Sequence, residues 1–292
     1  MKWEQGEESE NLEDRRGQSS GKQLLFGGGL TTLALMLIGA YFGIDPRILN
    51  QFLGRVQVAG GDGEPKQVRE LTAEELRGRE FNSKILRFTE KVWADEFRRV
   101  GKQYTAPRMV LFEENVVTGC GSAPSAVGPF YCPADQTVYL DPTFFTELET
   151  KLKGSKAEFS QAYVVAHEVG HHVQNLLGYS KLVEQKRRSA NRAEYNRLSV
   201  RLELQADYLA GVWAYHGQQQ FHFIEQGDIE SAIKTANAIG DDRLQRNSRG
   251  FTSPESYTHG TSEQRVKWFK LGLKTGNLSL AEKLFDLPYD DL

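Results

Sequence analysis

The sequence predicts a helix-dominated α+β fold with a small β-hairpin or sheet, joined to one transmembrane helix. Three observations predict it. From residue 71 onward, capping signatures recur ahead of apolar residues at three- and four-residue spacing. Only a few short runs between residues 109 and 140 read as strands. Near the N-terminus stands one uncharged run with the length of a bilayer crossing. The 292 residues suffice for one sizeable domain plus accessory segments. At 39% hydrophobic and 26% charged, the composition is that of an ordinary globular chain. A net charge of −3, with no dense Lys/Arg stripe, gives nucleic-acid binding no electrostatic support. Two cysteines are too few for a disulfide scaffold or a Cys-only metal site, but enough for one bridge.

Residues 1–23 are polar, lean acidic and lack apolar periodicity, which predicts a disordered tail. Residues 24–44, LLFGGGLTTLALMLIGAYFGI, carry no charge and end at Asp45-Pro46. Roughly 20 residues at 1.5 Å rise cover the hydrocarbon core, so this run is the candidate span and the lipid bilayer a predicted partner. It is long for a signal peptide and lacks a convincing cleavage site. Arg15, Arg16 and Lys22 precede it, while Arg47 and Arg55 follow. That balance predicts a single-pass protein with a cytoplasmic N-terminus and an extracytoplasmic (periplasmic) C-terminal domain. Gly39 and Gly43 form a weak G-x-x-x-G through which two copies can pair. Residues 45–70, with Gly60-Gly61-Asp62-Gly63, read as a linker.

The domain proper is expected over 71–292. Thr72 and Glu75 make a capping box, with Leu71 and Leu76 as a hydrophobic staple, and the helix they start ends near Gly101. Met109–Val117 reads as one strand, and 130–132 with 137–140 as a hairpin. Asp141-Pro142 opens another helix. Further helices are expected over about 157–177, 184–216 and 228–239, and after the capping boxes Thr261/Gln264 and Ser279/Glu282.

Within the helix 157–177, His167-Glu168-Val169-Gly170-His171 forms H-E-x-x-H. Histidines four apart project from one helical face, one turn apart, so both can reach a single ion. Glu168 lies beside the first of them, placed to act as general base without binding the ion. The bland alternative is two unrelated histidines and a solvated acid, but the surrounding positions are uncharged and largely apolar. A catalytic zinc site needs a third protein ligand. A third histidine six residues after His171 would supply it, yet position 177 is leucine. A carboxylate on the next helix is the other solution, with Glu184, Glu194 and Glu203 as candidates. Glu203 is preferred because it opens an apolar stretch, where a carboxylate is costly unless paired or bound. Asp207, one turn on, can accept a hydrogen bond from the outer nitrogen of a ligand histidine. Zn2+ is the expected ion from these ligand types.

H-E-x-x-H followed by E-x-x-x-D on a later helix resembles the carboxylate-ligand zinc peptidases, the gluzincin-like group with a zincin-like domain. More closely, the chain resembles the bacterial neutral zinc metallopeptidase family. The matching pieces are 13–17 (EDRRG), 128–133 (GPFYCP), 167–174, 203–213 and 258–262 (THGTS). The resemblance implies one membrane anchor and a zinc-peptidase domain, and a peptide or protein substrate is the expected partner. His259 is the candidate oxyanion stabiliser, since its loop precedes a helix and is similar to a late Thr-His segment of the prenyl-protein peptidases. His172 is expected to face away from the ion. Cys120 and Cys132 flank a Gly/Ser/Pro-rich loop and are candidates for a bridge. Strand 137–140 is expected to offer an edge to an extended peptide. Two other functions compete: a catalytically silent, zinc-stabilised quality-control module, and an amidase acting on cell-wall peptides.

Overall fold

The computed structural model describes residues 1–17 and 69–292. A four-stranded mixed sheet has the order β1 (Leu12–Asp14), β2 (Arg108–Leu111), β6 (Thr137–Leu140), β5 (Phe130–Cys132). β1 and β6 run parallel to β2, and β5 runs antiparallel to β6. β3 (Asn115–Thr118) and β4 (Gly121–Pro124) form a separate antiparallel pair. The helices are α1 (Ala73–Arg99), α2 (Thr143–Thr150), α3 (Glu158–Leu177), α4 (Tyr179–Arg187) and α5 (Arg192–Phe221). They continue with α6 (Asp228–Ala238), α7 (Asp241–Arg249) and α8 (Ser262–Thr275). This is the helix-dominated α+β architecture with a small sheet. Among the described residues no helix is long and apolar enough to cross a membrane. The expected span 24–44, its Gly39/Gly43 pair and most of the expected linker lie outside the described residues.

The long helices start where local chemistry satisfies their first N–H groups. Thr72 caps α1 through its hydroxyl and receives the Glu75 carboxylate in return. Asn191 with Glu194, and Thr261 with Gln264, repeat the device for α5 and α8. The core runs from α1 across α3 and α5 to α8, and it buries Trp93, Phe159, Tyr163, Tyr208, Trp213 and Phe269. Where α3 crosses α5, Gly170 faces the backbone of Ala206. A Cβ at Gly170 would lie 3.0 Å from the Ala206 carbonyl oxygen, a tight contact that glycine avoids, which lets these two helices approach closely. That crossing sets the distance between H-E-x-x-H and the carboxylate helix.

Several sequence expectations are corrected. Residues 1–17 are not a disordered tail. Trp3 is 1% exposed, the Lys2 amide donates to Phe223 O at 2.8 Å, and β1 completes the sheet. The acidic residues that suggested disorder pair with the basic face of α1, Glu7 with Lys91 and Arg87, and Glu8 with Arg79. The expected strand 109–117 is two strands, because Glu114 turns at φ 62° between them. The expected helix 184–216 is α4 and α5, parted where Asn191 begins a new cap. Ser279 caps no α-helix; Leu278–Phe285 is a 3-10 segment capped by Asn277. β6 offers no free edge, since β2 and β5 bond it on both sides, and the sheet's outer strands are β1 and β5. Leu76, the expected staple partner, is 52% exposed.

Cys120 and Cys132 are joined by a disulfide. It ties the β3–β4 turn to the end of β5 across a sequence separation of 12 residues. A loop of that size is stabilised by about 3 kcal/mol relative to the reduced chain.

Candidate metal centre

His167 and His171 stand one turn apart on α3, and Glu203 faces them from α5. Their ligand atoms all lie within 4.8 Å of one another. His167 Nε2 is 3.3 Å from Glu203 Oε2, and His171 Nε2 is 3.5 Å from Glu203 Oε1. Ligands held tetrahedrally at 2.0–2.1 Å from one zinc ion are about 3.3 Å apart, so the spacing fits. The donor set, two imidazoles and one carboxylate, also suits zinc.

The outer nitrogens of both imidazoles are committed elsewhere, which fixes the tautomers. His167 Nδ1 is 2.8 Å from Asp207 Oδ1. A carboxylate only accepts, so Nδ1 carries the proton and Nε2 presents its lone pair to the cluster. His171 Nδ1 is 2.9 Å from Gln174 Oε1. The Gln174 amide nitrogen donates to Leu202 O at 2.6 Å, so its carbonyl oxygen faces the histidine and again makes Nδ1 the donor.

Asp207 is the hub of a buried network. Arg265 from α8 donates to it twice, Nε to Oδ2 at 2.8 Å and Nη2 to Oδ1 at 3.0 Å. The Tyr163 hydroxyl, one turn before His167, donates to Oδ1. Burial alone would raise the Asp207 pKa, but Arg265 and His167 outweigh it and hold the carboxyl down at about 2. Glu203 behaves similarly: burial opposes its charge, yet His171, His167 and His259 keep its pKa well below the ordinary carboxylate range. Glu168 goes the other way. It is 7% exposed, and burial pushes its pKa up against the opposing pull of His171 and His167. A raised pKa makes a carboxylate a stronger base.

His259 lies in the loop before α8. Gly260 of that loop packs against Val200 and Leu204, flanking Glu203 on α5. Asp241, the first residue of α7, organises the loop. Its Oδ2 accepts the backbone N–H groups of Thr258, His259 and Gly260 at 2.7, 2.6 and 3.1 Å. Its Oδ1 is 3.1 Å from His259 Nδ1. Burial would lower the His259 pKa, but Asp241 raises it above the ordinary value, with Glu203 adding to the effect. Asp241 thus favours the doubly protonated ring, in which Nδ1 donates to Asp241 and Nε2 also carries a proton. His172 faces away from the cluster and bridges Tyr131 and the Thr105 carbonyl.

The structure therefore brings together His167, Glu168, His171, Glu203 and Asp207, with His259 in electrostatic reach of Glu203. Sequence reasoning missed Tyr163, Gln174, Asp241 and Arg265. Tyr163 and Gln174 carried a legible signal, at helical spacing of four before His167 and three after His171. Arg265 is 58 residues from Asp207 and carried none.

Two imidazoles and a carboxylate converging from crossed helices, with a buried acid beside them, define the class: a carboxylate-ligand, H-E-x-x-H metal site. The chain belongs to the family described as "putative neutral zinc metallopeptidase", which matches residues 1–283. It is 45% identical to "Uncharacterized protein YpfJ" of Escherichia coli K12 over 285 residues, covering 95% of this chain and 96% of that protein. It is 46% identical to "Uncharacterized protein Mb2605" of Mycobacterium bovis over 188 residues, 61% of this chain and 62% of the relative. No solved structure matches.

Proposed function

We propose that this protein hydrolyses peptide bonds in peptide or protein substrates, using a zinc ion held by His167, His171 and Glu203, and that residues 24–44 attach it to a lipid bilayer. The convergence of those three ligands carries the reading. When bound, zinc supplies Lewis acidity, activating a water and polarising the scissile carbonyl. Glu168 accepts the proton of the attacking water and delivers it to the leaving amine. Its burial favours that task, since burial raises its pKa and so makes the carboxylate a stronger base. His259, whose doubly protonated form Asp241 favours by accepting from Nδ1, donates its Nε2 proton in a hydrogen bond to the developing oxyanion. Asp207 and Gln174 hold the two imidazoles in register for the ion.

The test is metal analysis together with cleavage of a broad peptide library. Wild type is expected to hold one zinc and to cleave. Glu168→Gln is expected to keep the zinc and lose cleavage by at least 10³-fold, on the order of a missing general base and more. Glu203→Ala is expected to lose both. A wild type that holds zinc but cleaves nothing across the library makes the protein a zinc-stabilised binding module instead, and cleavage of cell-wall fragments alone makes it an amidase.

A further inference from the structure

Gly17 and Arg69, far apart in the sequence, are hydrogen-bonded to each other. The Arg69 amide donates to Gly17 O at 3.0 Å. A set of charged contacts locks the junction. The Gly17 amide donates to Glu113 Oε2 at 3.2 Å, and the Arg69 guanidinium pairs with Glu113 and, at 2.6 Å, with Glu75. Arg16 grips Asp14 through two nitrogens at 2.9 and 2.7 Å, and its Nη2 also reaches the Glu75 carbonyl at 2.9 Å. Gly17 sits at φ +67°, and a Cβ there would lie 2.6 Å from the Arg69 carbonyl oxygen. The motif Glu13-Asp14-Arg15-Arg16-Gly17 is thus a clasp, and none of its residues serves the metal centre.

Upstream of the clasp the chain is equally committed. β1 lies in register on β2, with Leu12 opposite Met109 and Asp14 opposite Leu111. Trp3 is buried in the main core. Residues 1–17 and 69–292 are therefore one folded body. A body joined by 3.0 Å hydrogen bonds cannot be divided by a hydrocarbon layer about 30 Å thick. Gly17 and Arg69 therefore lie on one face of any bilayer to which the protein is attached.

We infer that residues 1–17 and the metal-binding domain lie on the same face of the membrane, the extracytoplasmic face. The Cys120–Cys132 bridge assigns the face, because disulfides persist in oxidising compartments. This replaces the orientation read from flanking basic residues. Arg15 and Arg16, two of the three charges that favoured a cytoplasmic N-terminus, are folded against Glu13 and Asp14.

The inference rests on the membrane attachment proposed above, and the experiment separates the two. Full-length protein carrying Glu10→Cys or Lys270→Cys, both at exposed positions, is expressed in bacteria. The native cysteines are paired and do not react. Membrane fractionation comes first; recovery of the whole protein in the soluble fraction overturns the attachment itself. Spheroplasts are then treated with a membrane-impermeant maleimide, with and without lysis. The expected result is equal labelling of both positions in intact spheroplasts, with no gain on lysis. Labelling at position 270 with protection at position 10 overturns the shared face, and protection of both overturns the extracytoplasmic assignment.

Discussion

His167 and His171 are one helical turn apart and turn the same nitrogen toward Glu203, yet they are held by opposite means. Behind His167 stands a buried charge network in which Asp207 takes hydrogen bonds from the imidazole, Tyr163 and two nitrogens of Arg265. Behind His171 stands one neutral side chain, Gln174, itself anchored on a main-chain carbonyl of α5. A neutral partner orients the ring at little electrostatic risk. A buried carboxylate also raises the basicity of the ligand, but only while every member of its network is present. The difference teaches that the two ligands carry different liabilities: on the His167 side the metal site and the stability of the fold are one problem, and on the His171 side they separate.

The largest expected break in this comparison is Asp207→Ala. It leaves Arg265 buried without its partner, which costs about 3–5 kcal/mol of unfolding free energy in a urea titration and strips the metal site as well. The double variant Asp207→Leu, Arg265→Met sharpens the point. It is expected to recover most of that stability and none of the zinc affinity, because an apolar pair packs but cannot orient His167.

Next in size is Gly170→Val, which strikes both ligands equally. Its side chain meets the Ala206 backbone and forces α3 from α5, at about 1–3 kcal/mol of overpacking. Zinc content and stability are expected to fall together, as measured by metal analysis and thermal unfolding. Gln174→Ala addresses His171 alone. Zinc affinity is expected to drop about 10-fold with a stability loss near 1 kcal/mol, and competition with a chelator reads the first quantity directly.

The smallest effect on the metal site lies outside the comparison and serves as its control. Asp241 has a folded pKa below its ordinary value of 3.8: burial opposes the charge, but His259 and the loop amides outweigh it. A depressed carboxyl pKa stabilises the fold above the unfolded value and loses that contribution as pH falls through the folded value. Asp241→Asn is therefore expected to be less stable than wild type by about 1–2 kcal/mol at neutral pH, and the gap should close progressively below pH 3.8. Zinc content should not change, since Asp241 holds the His259 loop and no ligand.

How much of this was legible beforehand follows the range of each interaction. The caps at Thr72 and Thr261, the helix 158–177 and the hairpin of β5 with β6 are local, written in residues three or four apart or across one turn. The break between α4 and α5 was also written locally, in the Asn191–Glu194 box, but the continuous apolar pattern around it masked the signal. Residues 1–17 were misread for a different reason. Their order comes from one buried tryptophan, a three-residue strand and ion pairs to α1, all long-range contacts that leave no periodicity in the segment itself.

The sequence by itself determined the ligand histidines, the adjacent acid and the pool of carboxylates from which the third ligand had to come, because helical spacing puts i and i+4 on one face regardless of the rest of the chain. The apolar run around Glu203 already favoured it, but only the tertiary structure placed its carboxylate against both imidazoles, brought Arg265 and Asp241 to the cluster, and joined the chain's first 17 residues to the same body. Those choices depend on how closely two helices cross and on which distant charges meet in the interior, and neither distance is encoded in any one stretch of residues.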